Sequence, residues 1–205
     1  MRVKICGVTT HDAVAAAVAA GADAIGFVFA DSPRRVSPGA AAALARGLPP
    51  DVVRVAVFHH PTTALVEEVL AQFSPDWFQA EAEDASIFTA WPRIRFLPVF
   101  HDGPDLAERI AAHSDFGPGH RRHVLVEGAA SGRGMRADWE RVGALAAGAR
   151  LVLSGGLDPD NVGEAIRRVR PWGVDVSSGV ESARGVKDPL RIAAFVAAAR
   201  LREVA

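Results

Sequence analysis

Val3-Lys4-Ile5-Cys6-Gly7 is followed by a helical stretch closed at Gly21 and then by Ala24-Ile25-Gly26-Phe27-Val28-Phe29, so the chain opens as strand, helix, strand. The same unit recurs to the C-terminal end. Short β-rich runs lie at 3–6, 24–29, 53–58, 77–80, 94–99, 123–127, 150–154 and 174–177. Helical patterns alternate with them, at about 12–20, 39–47, 62–73, 85–91, 104–112, 137–147, 160–169 and 189–201. Consecutive strands joined through helices pair in parallel, and eight repeats in 205 residues predict a single (β/α)8 TIM barrel of minimal size, one domain over 1–205. A doubly wound open sheet is the alternative arrangement of the same elements. Thr9 or Thr10 is placed to cap the first helix and Gly21 to end it, and Ser37-Pro38 supplies a cap and a proline at the first helical position. The segment after Glu83-Asp84, short and rich in Ser, Thr and Ile, is the poorest helix.

Composition narrows the function. Hydrophobic residues make up 49% of the chain, the formal charge is −1, and the basic residues are scattered, which leaves no footprint for nucleic acid. The longest apolar run, around residues 13–20, is too short to span a bilayer. A single cysteine forms no internal disulfide, and the N-terminus leads into a strand with no signal-peptide pattern. The expectation is a cytoplasmic protein, monomer or homodimer, acting on a small phosphorylated molecule without nucleic-acid or membrane partners.

Strand alternation sorts the candidate site residues. Val3 and Ile5 share one face and Lys4 and Cys6 the other, and if the apolar face meets the helices, Lys4 and Cys6 look inward. The same parity turns Leu125 and Glu127, Asp175 and Ser177, and Gln79 and Glu81 inward. Charged groups inside a barrel are costly unless paired or close to solvent, so they point to a polar site at one rim. The structural alternatives are a Lys4–Asp175 salt bridge and, for Cys6, a small buried hydrophobe. Two glycine-rich turns, Gly155-Gly156 and Ser177-Ser178-Gly179, follow the seventh and eighth strands, where this fold recurrently holds phosphate on backbone N–H groups. Arg34, in the proline-stiffened loop Ser32 to Pro38, is suited to a carboxylate. The histidines show no metal-ligand spacing, and His59, His60, His120 and His123 read as loop or strand-edge residues.

Together these segments resemble the phosphoribosylanthranilate isomerase family over the whole length. The resemblance rests on Lys4-Ile5-Cys6-Gly7, on Gly21 to Phe29, on Ser32-Pro33-Arg34 with Ser37-Pro38, on Ser154-Gly155-Gly156-Leu157 with Pro159 and Asn161-Val162, and on Val174 to Glu181 with Gly185, Lys187 and Asp188. It implies a (β/α)8 barrel catalysing an Amadori rearrangement with neither metal nor organic cofactor. It further implies Cys6 as general base, Glu127 as general acid, Arg34 on the anthranilate carboxylate, and Lys4, Gln79 and Asp175 on the substrate. Gly132, Gly155, Gly156, Ser177, Ser178 and Gly179 would hold the phosphate. A thiol useful as a base near neutrality needs a neighbouring positive charge, for which Lys4 is the expected source.

Three segments depart from the family pattern. Glu127 stands where the family has aspartate, which adds roughly 1.5 Å of reach to a group whose position controls the rate. Ser131-Gly132-Arg133-Gly134 replaces a Gly-Gly-Thr/Ser-Gly turn, and Gln79-Ala80-Glu81-Ala82 replaces Gln-Leu-His-Gly. Arg133 pairing with Glu81 or Glu127 would compensate for these changes. Otherwise they mark a related phosphorylated aminoaldose as substrate, or a sugar-phosphate-binding relative without catalysis. The histidine-pathway aminoaldose isomerase fits less well, because it would place aspartate at Cys6 and a second phosphate loop in the first half.

Overall fold

A computed structural model of the chain describes residues 1–113, 123–128, 136–146 and 148–201. Eight parallel strands, β1 (Arg2–Cys6), β2 (Ala24–Val28), β3 (Val53–Val57), β4 (Trp77–Glu81), β5 (Arg95–His101), β6 (His123–Glu127), β7 (Arg150–Leu153) and β8 (Gly173–Val176), form a barrel in chain order. β8 pairs with β1, with Lys4 opposite Asp175, and closes the sheet, which excludes the doubly wound alternative. Around it lie α1 (His11–Ala19), α2 (Pro38–Ala45), α3 (Thr63–Leu70), α4 (Ala85–Phe88), α5 (Leu106–Ala112), α6 (Trp139–Leu145), α7 (Val162–Val169) and α8 (Pro189–Arg200). A 3₁₀ turn, Ser178–Val180, and a small hairpin, β9 (Glu181–Ala183) with β10 (Val186–Lys187), separate β8 from α8.

Local signals place the helix ends. Thr10, not Thr9, caps α1 by accepting the Ala13 N–H at 3.2 Å, and Ser37 does the same for Ala40 ahead of Pro38. Gly21, at φ +84°, reverses the chain after α1 while its N–H and that of Ala22 close the last turn. The weak fourth segment yields only α4, preceded by a 3₁₀ turn at Ala82–Asp84. No described helix is long and apolar enough to cross a membrane.

The alternation of side chains divides the core in two. Val3, Ile5, Ile25, Phe27, Phe78, Val124, Val126, Leu151, Val174 and Val176 face the helices in one large cluster. Inside the barrel, Leu97, Val99, Leu125 and Val152 form a separate apolar plug beside Trp77. The inner positions on the β7, β8 and β1 side are instead Ser154, Asp175, Lys4 and Cys6, so the interior is apolar on one side and charged on the other.

Candidate active site at the carboxyl ends of the strands

The charged side is built around a buried ion pair. Lys4 Nζ donates to Asp175 Oδ1 at 2.9 Å, and Ser154 Oγ donates to Asp175 Oδ2 at 3.3 Å. Burial works against the Lys4 charge, but Asp175 and then Cys6 outweigh it, so the ammonium is held above its ordinary range. The salt bridge considered from parity is therefore present, with Cys6 next to it on the same strand. Gly26, opposite Cys6 in the register, makes the space, since a Cβ there would lie 2.9 Å from Cys6 Sγ and 3.0 Å from Lys4 Nζ. Gly26→Ala is expected to displace both groups, lowering stability by about 1–3 kcal/mol as an overpacked core does. Its kcat should fall while the barrel persists, which steady-state kinetics and circular dichroism on the same sample would check.

Lys4 favours the thiolate as expected, but burial outweighs it. Burial is the largest influence on Cys6 and raises its pKa; Lys4 and Lys187 lower it and Asp175 raises it again, leaving it above its ordinary value. Burial therefore opposes ionisation of the thiol, and the Lys4 ammonium, shared with Asp175, offsets it only in part.

Arg34 crosses the end of β1 where Gly7, at φ +73°, has no side chain, and a Cβ there would lie 2.6 Å from Arg34 Cδ. Its guanidinium is already engaged, with Nε donating to Glu181 Oε1 at 2.6 Å and Nη2 to Oε2 at 3.0 Å. Glu181 also accepts from Lys187 Nζ at 2.7 Å and from the Gly185 N–H at 3.0 Å. Burial alone would raise this carboxyl, yet Arg34, Lys187 and the Gly185 amide bring it down to about 2. Lys187 additionally donates to Ser177 O and Oγ, and Ser177 Oγ donates to the Cys6 carbonyl at 3.2 Å. Glu181 and Lys187 thus tie the Arg34 loop to the β8 turn, and Arg34 Nη1 makes no hydrogen bond among the described residues.

The two glycine turns meet as their spacing suggested. Gly155 and Gly156 have φ of +87° and +64°, and Gly179 packs so closely on the Leu157 carbonyl that a side chain has no room. Arg34, Glu127, Ser154, Asp175, residues 155–157 and residues 176–178 line one pocket at the carboxyl ends of the strands. Gln79 is buried on β4, and its Oε1 has no hydrogen-bond partner among the described residues. Gly132 and Arg133 lie outside the described residues, as do Ser131, Gly134 and His120. Among the described residues Glu81 meets one that sequence reasoning missed, His101, whose Nε2 lies 2.9 Å from Glu81 Oε2.

A second cavity, of about 300 Å³, opens at the opposite mouth among Trp77, Arg95, His123, Arg150 and Trp172. Its arginines stack on indoles, Arg95 on Trp77 and Arg150 on Trp172. Burial first, then Arg150 and Arg95, push His123 down to about 4, so it is neutral there. Asp23 and Asp51 also line this cavity, but Cys6 and the two glycine turns are at the other end, and in barrels of this kind the reaction takes place at the carboxyl ends of the strands.

Fold and site define a (β/α)8 barrel enzyme whose polar pocket is assembled from strand ends and the turns that follow them. The family model for N-(5′-phosphoribosyl)anthranilate isomerase matches residues 3–198, and the chain belongs to that family. An N-(5′-phosphoribosyl)anthranilate isomerase of Thiobacillus denitrificans is 44% identical over 204 residues, covering 98% of each chain. The crystal structure of phosphoribosyl anthranilate isomerase from Thermotoga maritima superposes with a TM-score of 0.86 at 34% identity, covering 97% of this chain and 98% of the other. A phosphoribosyl anthranilate isomerase in complex with reduced 1-(o-carboxyphenylamino)-1-deoxyribulose 5-phosphate superposes with a TM-score of 0.84 at 34% identity and the same coverage.

Proposed function

We propose that residues 1–205 act as one domain converting N-(5′-phosphoribosyl)anthranilate into 1-(2-carboxyphenylamino)-1-deoxyribulose 5-phosphate, a step of tryptophan biosynthesis. The observation that carries this reading is the meeting of Arg34, Glu127, Asp175 and the two glycine turns in one pocket, next to the strand end that bears Cys6. The substrate offers a carboxylate, a furanose ring oxygen and a phosphate, and the pocket offers a guanidinium, a carboxyl group and backbone amides.

In this reading Glu127 gives a proton to the ring oxygen, the C1′–O bond breaks, and the anilino nitrogen lone pair forms the iminium. Cys6, as thiolate, removes the C2′ proton, and the electrons of that C–H bond form the enolamine. The C2′ hydroxyl then loses its proton and C1′ gains one, which yields the ketone. Lys4 and Lys187 favour the thiolate that burial and Asp175 oppose, and the Lys4–Asp175 pair holds that wall of the pocket in register. Arg34, oriented by Glu181, takes the anthranilate carboxylate through its remaining donors. Gln79 and Asp175 orient the sugar, and Gly155, Gly156, Ser177, Ser178, Gly179 and Gly132 take the phosphate.

Growth of a tryptophan auxotroph lacking this isomerase tests the reading. The wild-type chain should restore growth without tryptophan and Cys6→Ala should not; no rescue by well-expressed wild type would contradict it. A further expectation concerns the longer acid. Glu127→Asp keeps the carboxyl group and should stay within about tenfold of wild-type kcat, whereas Glu127→Gln, unable to donate in the same way, should lose about 10²–10⁴-fold.

A further inference from the structure

His101 ends β5 directly opposite Glu127 in the β5–β6 ladder, one strand away from Glu81. Both of its ring nitrogens are engaged. Nε2 lies 2.9 Å from Glu81 Oε2, and Nδ1 lies 3.3 Å from the carbonyl oxygen of Gly128, the residue after Glu127. A carbonyl only accepts, and an ionised carboxylate only accepts, so both contacts are hydrogen bonds only when each nitrogen carries a proton. A neutral imidazole supplies one such N–H and must give up one of the two. Glu81 is 9% exposed, and a carboxylate that buried needs a countercharge.

We propose that His101 is a positioning residue of the isomerisation: as an imidazolium it ties Glu81 on β4 to the β6 end that carries Glu127, and loss of its proton unties that end and slows the reaction. This rests on the function proposed above, with Glu127 as the acid. A second tie, from the Asp102 N–H to the Glu127 carbonyl at 2.8 Å, fixes the backbone but does not reach Gly128. His101 thereby couples Gly128, the residue after Glu127, to a proton.

The surroundings favour the charged form. Among the described residues, the charged and titratable groups facing His101 are Glu81 from β4, with His59 4.0 Å from its other oxygen, Glu127 from β6, and Arg109 from α5, which donates to the His101 carbonyl. On its own strand end, Asp102 is turned to Arg141, and Glu83 and Asp84 of the adjoining 3₁₀ turn face His60. The hydrogen bond to Glu81 contributes most to raising the imidazole, burial opposes it, and Glu127 adds to the rise. The His101 pKa accordingly lies above the ordinary histidine value.

Glu81→Gln is the discriminating variant, because it keeps the shape and removes the charge. Histidine NMR titration of the folded protein should show the His101 pKa falling relative to wild type. At pH values below both pKa values the variant and wild type should have similar kcat. As pH rises, the ratio of variant to wild-type kcat should decline, reaching about tenfold per pKa unit lost. KM should change little, since His101 is not assigned a substrate contact. His101→Asn, which holds no titrating group, should be slow at every pH and should lose the pH-dependent part of the ratio. An unmoved His101 pKa overturns the inference, and so does a kcat ratio that does not vary with pH, the mark of a merely structural role. A wild-type protein that fails to turn over phosphoribosylanthranilate overturns the isomerase reading and this inference with it. An active wild type with a flat ratio overturns this inference alone.

Discussion

Cys6→Ala is expected to lower kcat by about 10²–10⁴-fold, the range that a positioned general base contributes, while binding of the ketose product stays within a few-fold of wild type. The asymmetry follows from where the thiol sits. It is buried at the end of β1, next to Lys4 and against the bare backbone of Gly26, and in the proposed reaction it acts on C2′ while other groups hold the substrate. Removing Sγ leaves the Lys4–Asp175 pair and the Arg34–Glu181 pair in place. Product titration by fluorescence, beside steady-state kinetics, separates the two effects. A variant that binds product normally and turns over at the wild-type rate would remove Cys6 from the reaction.

The second large effect is on stability. Lys4→Met leaves the Asp175 carboxylate, 5% exposed, with the 3.3 Å contact from Ser154 as its one hydrogen bond among the described residues. Breaking one side of such a buried pair costs about 3–5 kcal/mol. In a chain of this length that corresponds to a fall in Tm of roughly 6–20 °C. The double variant Lys4→Met/Asp175→Leu should regain most of that stability, because neither charge is then stranded, yet it should remain inactive. Recovery of both stability and activity in the double variant would mean that the pair serves the fold alone. Thermal denaturation and the kinetic assay on the three proteins decide between these outcomes.

The barrel was legible because its signal is periodic. Eight apolar runs with helices between them leave few ways to pair, and the inward parity of Lys4, Cys6 and Asp175 follows from a period of two. The register then sets Lys4 opposite Asp175, as that parity allowed. Other features had no local pattern to reveal them. His101 escaped notice because the apolar run was ended at Val99; the ladder to β6 continues through Phe100 and His101, and the alternation of Leu97 and Val99 carries on to place the imidazole inward. Glu181 was visible as part of a motif, but its grip on Arg34 joins residues 147 positions apart through a hairpin that no short window encodes. The direction of the Cys6 pKa depended on desolvation, which the presence of a nearby lysine in the sequence does not report.

Depletion of anthranilate-type fluorescence from phosphoribosylanthranilate generated in situ, with wild-type and Cys6→Ala protein side by side, is the most direct test of the chemistry placed at this rim. The expected result is rapid loss with wild type and loss at the spontaneous rate with Cys6→Ala. Spontaneous-rate decay with both proteins, or equal rapid decay with both, would contradict it.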